Sequence, residues 1–164
     1  REAKEWRLEL VDSSVNRSLT ALEEREGPAT FPRGWVRHAF HDMTLVGRAS
    51  YLLKHADELG YRAFEEAGRT FTESFISMRD ELRVSRPEID AAVEACLTHG
   101  ALGARIVGGG FGGAVMALVK TSRLEETAQA IAQAYAEHGY AEPRFLPMVA
   151  GFPADYDWLS ENFR

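Results

Sequence analysis

Apolar residues recur at helical spacing through the first two-thirds of the chain. Leu8, Val11, Val15, Leu19 and Leu22 predict a first amphipathic helix, with Glu and Arg between them. Gly27-Pro28 ends it, and a loop continues to Pro32-Arg33-Gly34. A second helix is predicted from Trp35 to Leu53, with Val36, Phe40 and Met43 on one face. Asp57 to Gly60 is a break. Phe64, Ala67, Phe71, Phe75, Met78 and Leu82 then define a long third helix, and its aromatic stripe reads as core. Ser85-Arg86-Pro87-Glu88 reads as a capping box, because a Ser hydroxyl and a Glu carboxylate three apart can satisfy each other's amides. The helix it opens carries Ile89, Val93, Cys96 and Leu97, with Gly100 as its C-terminal cap.

The period changes after Gly100. Ala104 to Val107 predicts a short strand. The unbroken apolar run Ala114 to Val119 predicts a strand buried on both faces. Ser122 to Glu125 is a second capping-box pattern. It leads a helix with Leu124, Ala128, Ile131, Ala132 and Tyr135 that stops at Gly139. Arg144 to Val149 reads as a last strand, near an edge because of Pro147, and the tail from Gly151 reads as loop. The expectation is one α+β domain over residues 1–164, with helices on one face of a small antiparallel sheet.

Charge and composition narrow the class. The chain has 164 residues and a net charge of −6, which disfavours a nucleic-acid or anionic-membrane surface. No apolar stretch approaches a membrane span of roughly 20 residues, and no segment reads as a signal peptide. The single cysteine, Cys96, has no internal partner, which fits a reducing cytoplasm and a core role. The chain opens on Arg1 rather than Met, so it reads as part of a longer protein.

The run Gly108-Gly109-Gly110-Phe111-Gly112-Gly113 is the strongest chemical signal. Glycines 108, 110 and 113 match G-x-G-x-x-G. A dinucleotide fingerprint must open a helix, however, and this run opens a strand. A P-loop would need Gly-Lys-Ser/Thr, which is absent. A strand-loop-strand remains. It is either a wide hairpin needing positive φ, or a backbone that a neighbouring domain or an anionic ligand must approach closely.

Gly103 to Ala114, reading G-A-R-I-V-G-G-G-F-G-G-A, resembles the third signature motif of the GHMP small-molecule kinases. That family includes galactokinases, homoserine kinases, mevalonate kinases and phosphomevalonate kinases. Val84-Ser85-Arg86-Pro87-Glu88-Ile89-Asp90, after Arg79-Asp80-Glu81, is similar to the galactokinase pattern V-S-C-P-E-L-D. Arg37-His38-Ala39-Phe40-His41, with Arg48, resembles a degraded form of the galactokinase R-A-x-H…R helix. The resemblance implies a ferredoxin-like α+β sandwich with additional N-terminal helices. It implies transfer of the ATP γ-phosphoryl group to a sugar hydroxyl, galactose to galactose 1-phosphate, with Mg2+.

In that family the main phosphate loop, the acidic residue facing the sugar and the assisting arginine lie in an N-terminal domain. The resemblance therefore implies no catalytic residue in this chain. It implies that Gly108, Gly109, Gly110, Phe111, Gly112 and Gly113 wall the ATP cleft, and that the chain packs on its own N-terminal domain. Several positions depart from the pattern: Val107 stands for Thr, Ala114 for Cys, Phe75 for the His of S-H-x-S-L, Arg86 for Cys and Leu45 for Glu. They keep two alternatives open, a sugar or ATP sensor without turnover and a GHMP kinase for another sugar.

Other residues carry less. His38 and His41 lie three apart on one helix side, but no third ligand accompanies them, so no metal site is expected. Asp80-Glu81 beside Arg79 and Arg83 reads as a solvated helix end or a paired carboxylate site. An RNA-binding ferredoxin-like domain is disfavoured by the acidic charge and by the lack of an aromatic pattern on the strands.

Overall fold

The computed structural model describes residues 33–110 and 113–148. The predicted helix at Leu8 to Leu22, Phe111, Gly112, Val149 and the tail from Gly151 lie outside the described residues. The order is α1 (Arg33–Lys54), α2 (Ala56–Leu59), α3 (Tyr61–Asp80), α4 (Pro87–Thr98), β1 (Ala101–Ile106), β2 (Val115–Val119), a 3₁₀ turn (Thr121–Arg123) and α5 (Leu124–His138). Strands β1 and β2 pair antiparallel, Ala101 opposite Val119 and Ile106 opposite Val115, with one bulge between Ala101 and Gly103. The predicted α+β class and its antiparallel strand pair are therefore present.

One core holds the elements together. Phe75 and Met78 of α3 meet Ile89, Val93 and Cys96 of α4 and Ala104 and Ile106 of β1, with Val84 from the turn between the helices. Helix α1 packs on α3, and α5 packs on α4, where the Tyr135 hydroxyl donates to the Glu88 carbonyl at 2.8 Å. The approach of α3 to β1 is set by glycine. A Cβ on Gly103 would lie 1.7 Å from the Gly68 carbonyl oxygen, so helix and strand backbones touch directly.

Several local expectations differ. The buried side of α1 is not the Phe40–Met43 face, since Met43 is 72% exposed. Leu45 and Ala49 are the buried pair, flanked by the half-buried His38 and Asp42. The core stripe of α3 holds at Phe75 and Met78, but Phe64 is exposed, and α3 ends at Asp80 before reaching Leu82. Neither capping box forms. With Pro87 at the first helical position, the N-cap of α4 is Arg86. That shift of one residue breaks the Ser-to-Glu register, and the Ser85 hydroxyl donates instead to Asp90 at 2.6 Å. At α5 the 3₁₀ turn moves the N-cap to Arg123. Strand β2 is half-exposed, with Met116 and Ala117 open, rather than buried on both faces. Residues 144–148 form no strand. Pro143 and Pro147 remove two ladder donors there, and Leu146 and Met148 are exposed. The helix stops at Gly100 (φ 91°) and Gly139 (φ 70°) are as predicted.

Two predictions arise here. Arg83 is the one described non-glycine residue with positive φ, at 58°. It lets the Val84 amide reach back to the Met78 carbonyl at 3.1 Å. Its side chain is exposed and makes no described hydrogen bond or ion pair. Left-handed backbone costs a non-glycine residue about 1–2 kcal/mol, part of which glycine returns as unfolded-state entropy. Arg83→Gly is therefore expected to stabilise the domain by about 0.5–1 kcal/mol, read as a raised midpoint in chemical denaturation.

Cys96 is buried, and that burial pushes its thiol from an ordinary value of 9.0 up to about 11. The thiolate is the reactive form, so Cys96 is expected to resist an aromatic disulfide reagent at pH 8 until the chain unfolds. The folded state holds this proton to higher pH than the unfolded state does. Its contribution to stability is thus complete below about pH 9 and is lost as pH rises through about 11. Rapid labelling of the native protein would contradict this.

Candidate functional site

The glycine loop grows out of the β1–β2 pair. The Val107 amide donates to the Ala114 carbonyl at 3.0 Å and closes the mouth of the hairpin. Beyond it, Gly108 (φ 76°) and Gly110 (φ 84°) take conformations that side chains resist. Gly110 is seated: a Cβ there would lie 2.3 Å from Val84 Cβ and 2.8 Å from the Val84 carbonyl oxygen. Gly108, Gly109 and Gly113 have no such neighbour within 4 Å. The loop therefore rests on the chain at Gly110 and opens outward at the other three. Among the described residues nothing requires the absence of side chains at Gly109 and Gly113, whereas a ligand or second surface approaching the backbone would.

Val84 is itself fixed. It is buried in the core and tied to the end of α3. It also opens the V-S-x-P-E segment of the sequence, Val84 to Glu88. Two of the three stretches that carried the family resemblance thus meet at the Gly110–Val84 contact.

The α1–α3 seam beneath is polar at two levels, one helical turn apart. At the lower level the Ser77 hydroxyl donates to Glu81 Oε2 at 2.9 Å and lies 3.0 Å from His38 Nδ1. The carboxylate can only accept, so the serine proton goes to Glu81 and His38 Nδ1 carries the hydrogen it shares with Ser77. Arg37 Nε stands 3.2 Å from Glu81 Oε1. At the upper level the buried Ser74 hydroxyl donates to Asp42 Oδ1, and Arg105 Nη1 of β1 donates to the same oxygen at 3.3 Å.

These contacts explain why histidine and aspartate occupy the inner side of α1. They also place each predicted residue. His38 belongs to the Ser77 cluster, and His41 does not join it. No group of three or more His, Cys, Asp or Glu suited to a metal occurs among the described residues. Asp80 and Glu81 do not act together. Glu81 faces Ser77 and Arg37, while Asp80 forms an exposed pair with Arg79 at 2.8 Å, and the Arg79 hydrogen bond holds its carboxyl below the usual range. Phe75 lies in the apolar core, Leu45 is buried, and Val107 is exposed at the loop mouth.

Asp42 and Arg105 are the residues that the sequence reading passed over. A signal was present: Arg105 alternates with Gly103 on one face of a strand otherwise made of Ala, Leu, Gly and Ile. A cation on the packed side of such a strand calls for a carboxylate from another element.

Comparison with known proteins follows the same residues. The family described as GHMP kinases C terminal matches residues 37–141. A galactokinase of Streptomyces coelicolor is 37% identical over 131 residues, which is 80% of this chain and 32% of that protein. A galactokinase of Mycobacterium tuberculosis is 40% identical over 108 residues, 66% of this chain and 29% of that protein. The crystal structure of Lactococcus lactis galactokinase complexed with galactose matches with a TM-score of 0.61 at 30% identity, covering 76% of this chain and 31% of that one. The chain spans about a third of the length of the curated relatives it matches.

Proposed function

Because this chain belongs to the GHMP kinases, whose C-terminal domain it carries, we propose that it is the C-terminal part of a galactokinase-like sugar kinase. The whole enzyme transfers the γ-phosphoryl group of ATP to a sugar hydroxyl, galactose being the substrate that the relatives point to. Under this reading the chain's own task is to wall the nucleotide cleft, and an N-terminal domain supplies the catalytic residues.

The observation that carries the reading is the open glycine loop. Gly110 is anchored on Val84, while Gly108, Gly109 and Gly113 present bare backbone outward. Successive amides in such a turn suit an anion such as a phosphate group. Phosphoryl transfer depends on positioning and charge stabilisation, which a wall of fixed amides contributes without acid or base chemistry. Mg2+ would neutralise charge on the phosphates when bound. Residues 101–119 contain no Asp or Glu, so this loop does not fit the metal, whose ligands belong to the N-terminal domain in this proposal. Among the described residues no helix is long and apolar enough to cross a membrane.

The test is a coupled assay on the full-length protein with ATP, magnesium and galactose. Galactose 1-phosphate is expected, and residues 1–164 alone are expected to give none. One observation favours a second reading. Val107 places an isopropyl group, not a hydroxyl, at the exposed mouth of the loop. If the full-length protein binds ATP but phosphorylates no hexose, a ligand-sensing role replaces catalysis.

A further inference from the structure

We propose that Arg105 is a positioning residue for the glycine loop. It fixes the peptide from which the loop departs. The inference rests on the reading of that loop as a nucleotide wall.

The Ile106–Val107 peptide is planar and leads into Val107, the residue before Gly108. Its carbonyl accepts from Arg105 Nε at 3.3 Å, and its N–H donates to the Ala114 carbonyl at 3.0 Å. The unit is therefore gripped at both ends. Val107 starts from a fixed plane, and three residues later Gly110 comes down on Val84. Between these two points glycine alone would leave the backbone free over a wide range of φ and ψ. Clamping both ends gives the intervening amides one orientation.

Arg105 does this from a braced position. Its side chain is 18% exposed and that of Asp42 is 24% exposed. The guanidinium spends its donors on three elements: Ile106 of its own strand, Asp42 of α1, and Met78 Sδ of α3 at 3.8 Å. Asp42 is braced in turn by the hydroxyl of Ser74, which is fully buried. A part-buried charge in this place is costly unless it is paired, and an apolar side chain would fill the position more cheaply. The planar fork supplies what an apolar chain or a lysine cannot: a second donor, set back from the ion pair, aimed at the carbonyl.

The test uses the full-length protein with Arg105→Lys, Asp42→Asn and Gly110→Ala. Lysine keeps a cation for Asp42 but has no Nε–H donor for Ile106. Arg105→Lys is expected to raise the KM for ATP by about tenfold and lower kcat, while the KM for sugar and the thermal midpoint stay near those of the parent. Asp42→Asn removes the charge and leaves an acceptor, and is expected to shift the ATP KM in the same direction by less. A parent-like ATP KM in Arg105→Lys, or equal changes in both KM values, would overturn the proposal. If Arg105→Lys does not fold, an unshifted ATP KM in Asp42→Asn overturns it. Gly110→Ala separates the two readings. If it leaves the ATP KM unchanged, the nucleotide wall itself is wrong. If it raises the ATP KM and Arg105→Lys does not, only the positioning role fails.

Discussion

Gly103→Ala is expected to lower the thermal midpoint by more than about 10 °C. The methyl group would sit 1.7 Å from the Gly68 carbonyl oxygen, 2.3 Å from its carbon and 2.7 Å from its Cα. All three atoms are backbone, so no rotamer change relieves the contact. The converse holds from the helix side, where a Cβ on Gly68 would lie 2.3 Å from the Leu102 carbonyl oxygen. Helix α3 must then lift from β1, and Phe75 and Met78 withdraw from Ala104 and Ile106 in the core. Overpacking in a core costs about 1–3 kcal/mol when side chains can move. Here they cannot, so about 3 kcal/mol is a lower figure, and each kcal/mol lowers the midpoint of a domain this size by roughly 4 °C. Circular dichroism melts check it. Gly47→Ala is the control, because nothing lies within 4 Å of a Cβ there. A Gly103→Ala midpoint within about 2 °C of the parent would refute the packing argument.

Gly110→Ala is expected to act on function more than on folding. The residue has φ of 84°, which costs a side chain about 1–2 kcal/mol. Its new methyl group would also meet Val84 Cβ at 2.3 Å and Cγ2 at 2.5 Å. Val84 cannot yield easily, since it is buried and its amide is bonded to Met78. The loop is the softer partner and lifts away. In the full-length protein, under the proposed kinase function, the KM for ATP is expected to rise by at least about tenfold, with the KM for sugar little changed. Gly109→Ala, with open space around it among the described residues, distinguishes the two surfaces. If Gly109→Ala also impairs ATP use, the obstruction comes from the ligand or the opposing domain.

The sequence alone determined the helices with a clear apolar period, their glycine stops, and the strand-loop-strand around the glycine run. These are local properties: spacing, backbone permissiveness at Gly100 and Gly139, and a loop that does not open a helix. It also carried the family, through the glycine run and the V-S-x-P-E segment. It misplaced both helix starts, because Pro87 and the turn at Thr121 to Arg123 shift each N-cap by one residue or more and a capping box works in only one register. It mistook the buried face of α1 as well. Hydrophobic spacing favours Phe40 and Met43, but His38 and Asp42 go inside because Ser77 and Ser74, 39 and 32 residues away, satisfy them. Burial of a polar group is decided by its partner, and a partner on another helix leaves no mark in the local pattern.

The apolar run of β2 shows the same limit. Its composition announces that something covers it, yet only the packing shows that the described part of this chain leaves Met116 and Ala117 open. The glycine loop divides between the two sources. Its sequence supplied a backbone able to turn and to be approached. The tertiary structure decided where that backbone is held, at Val84 below Gly110 and at Arg105 behind Ile106, because Val84 reaches Gly110, and Asp42 and Met78 brace Arg105, only once α1, α3 and β1 have packed.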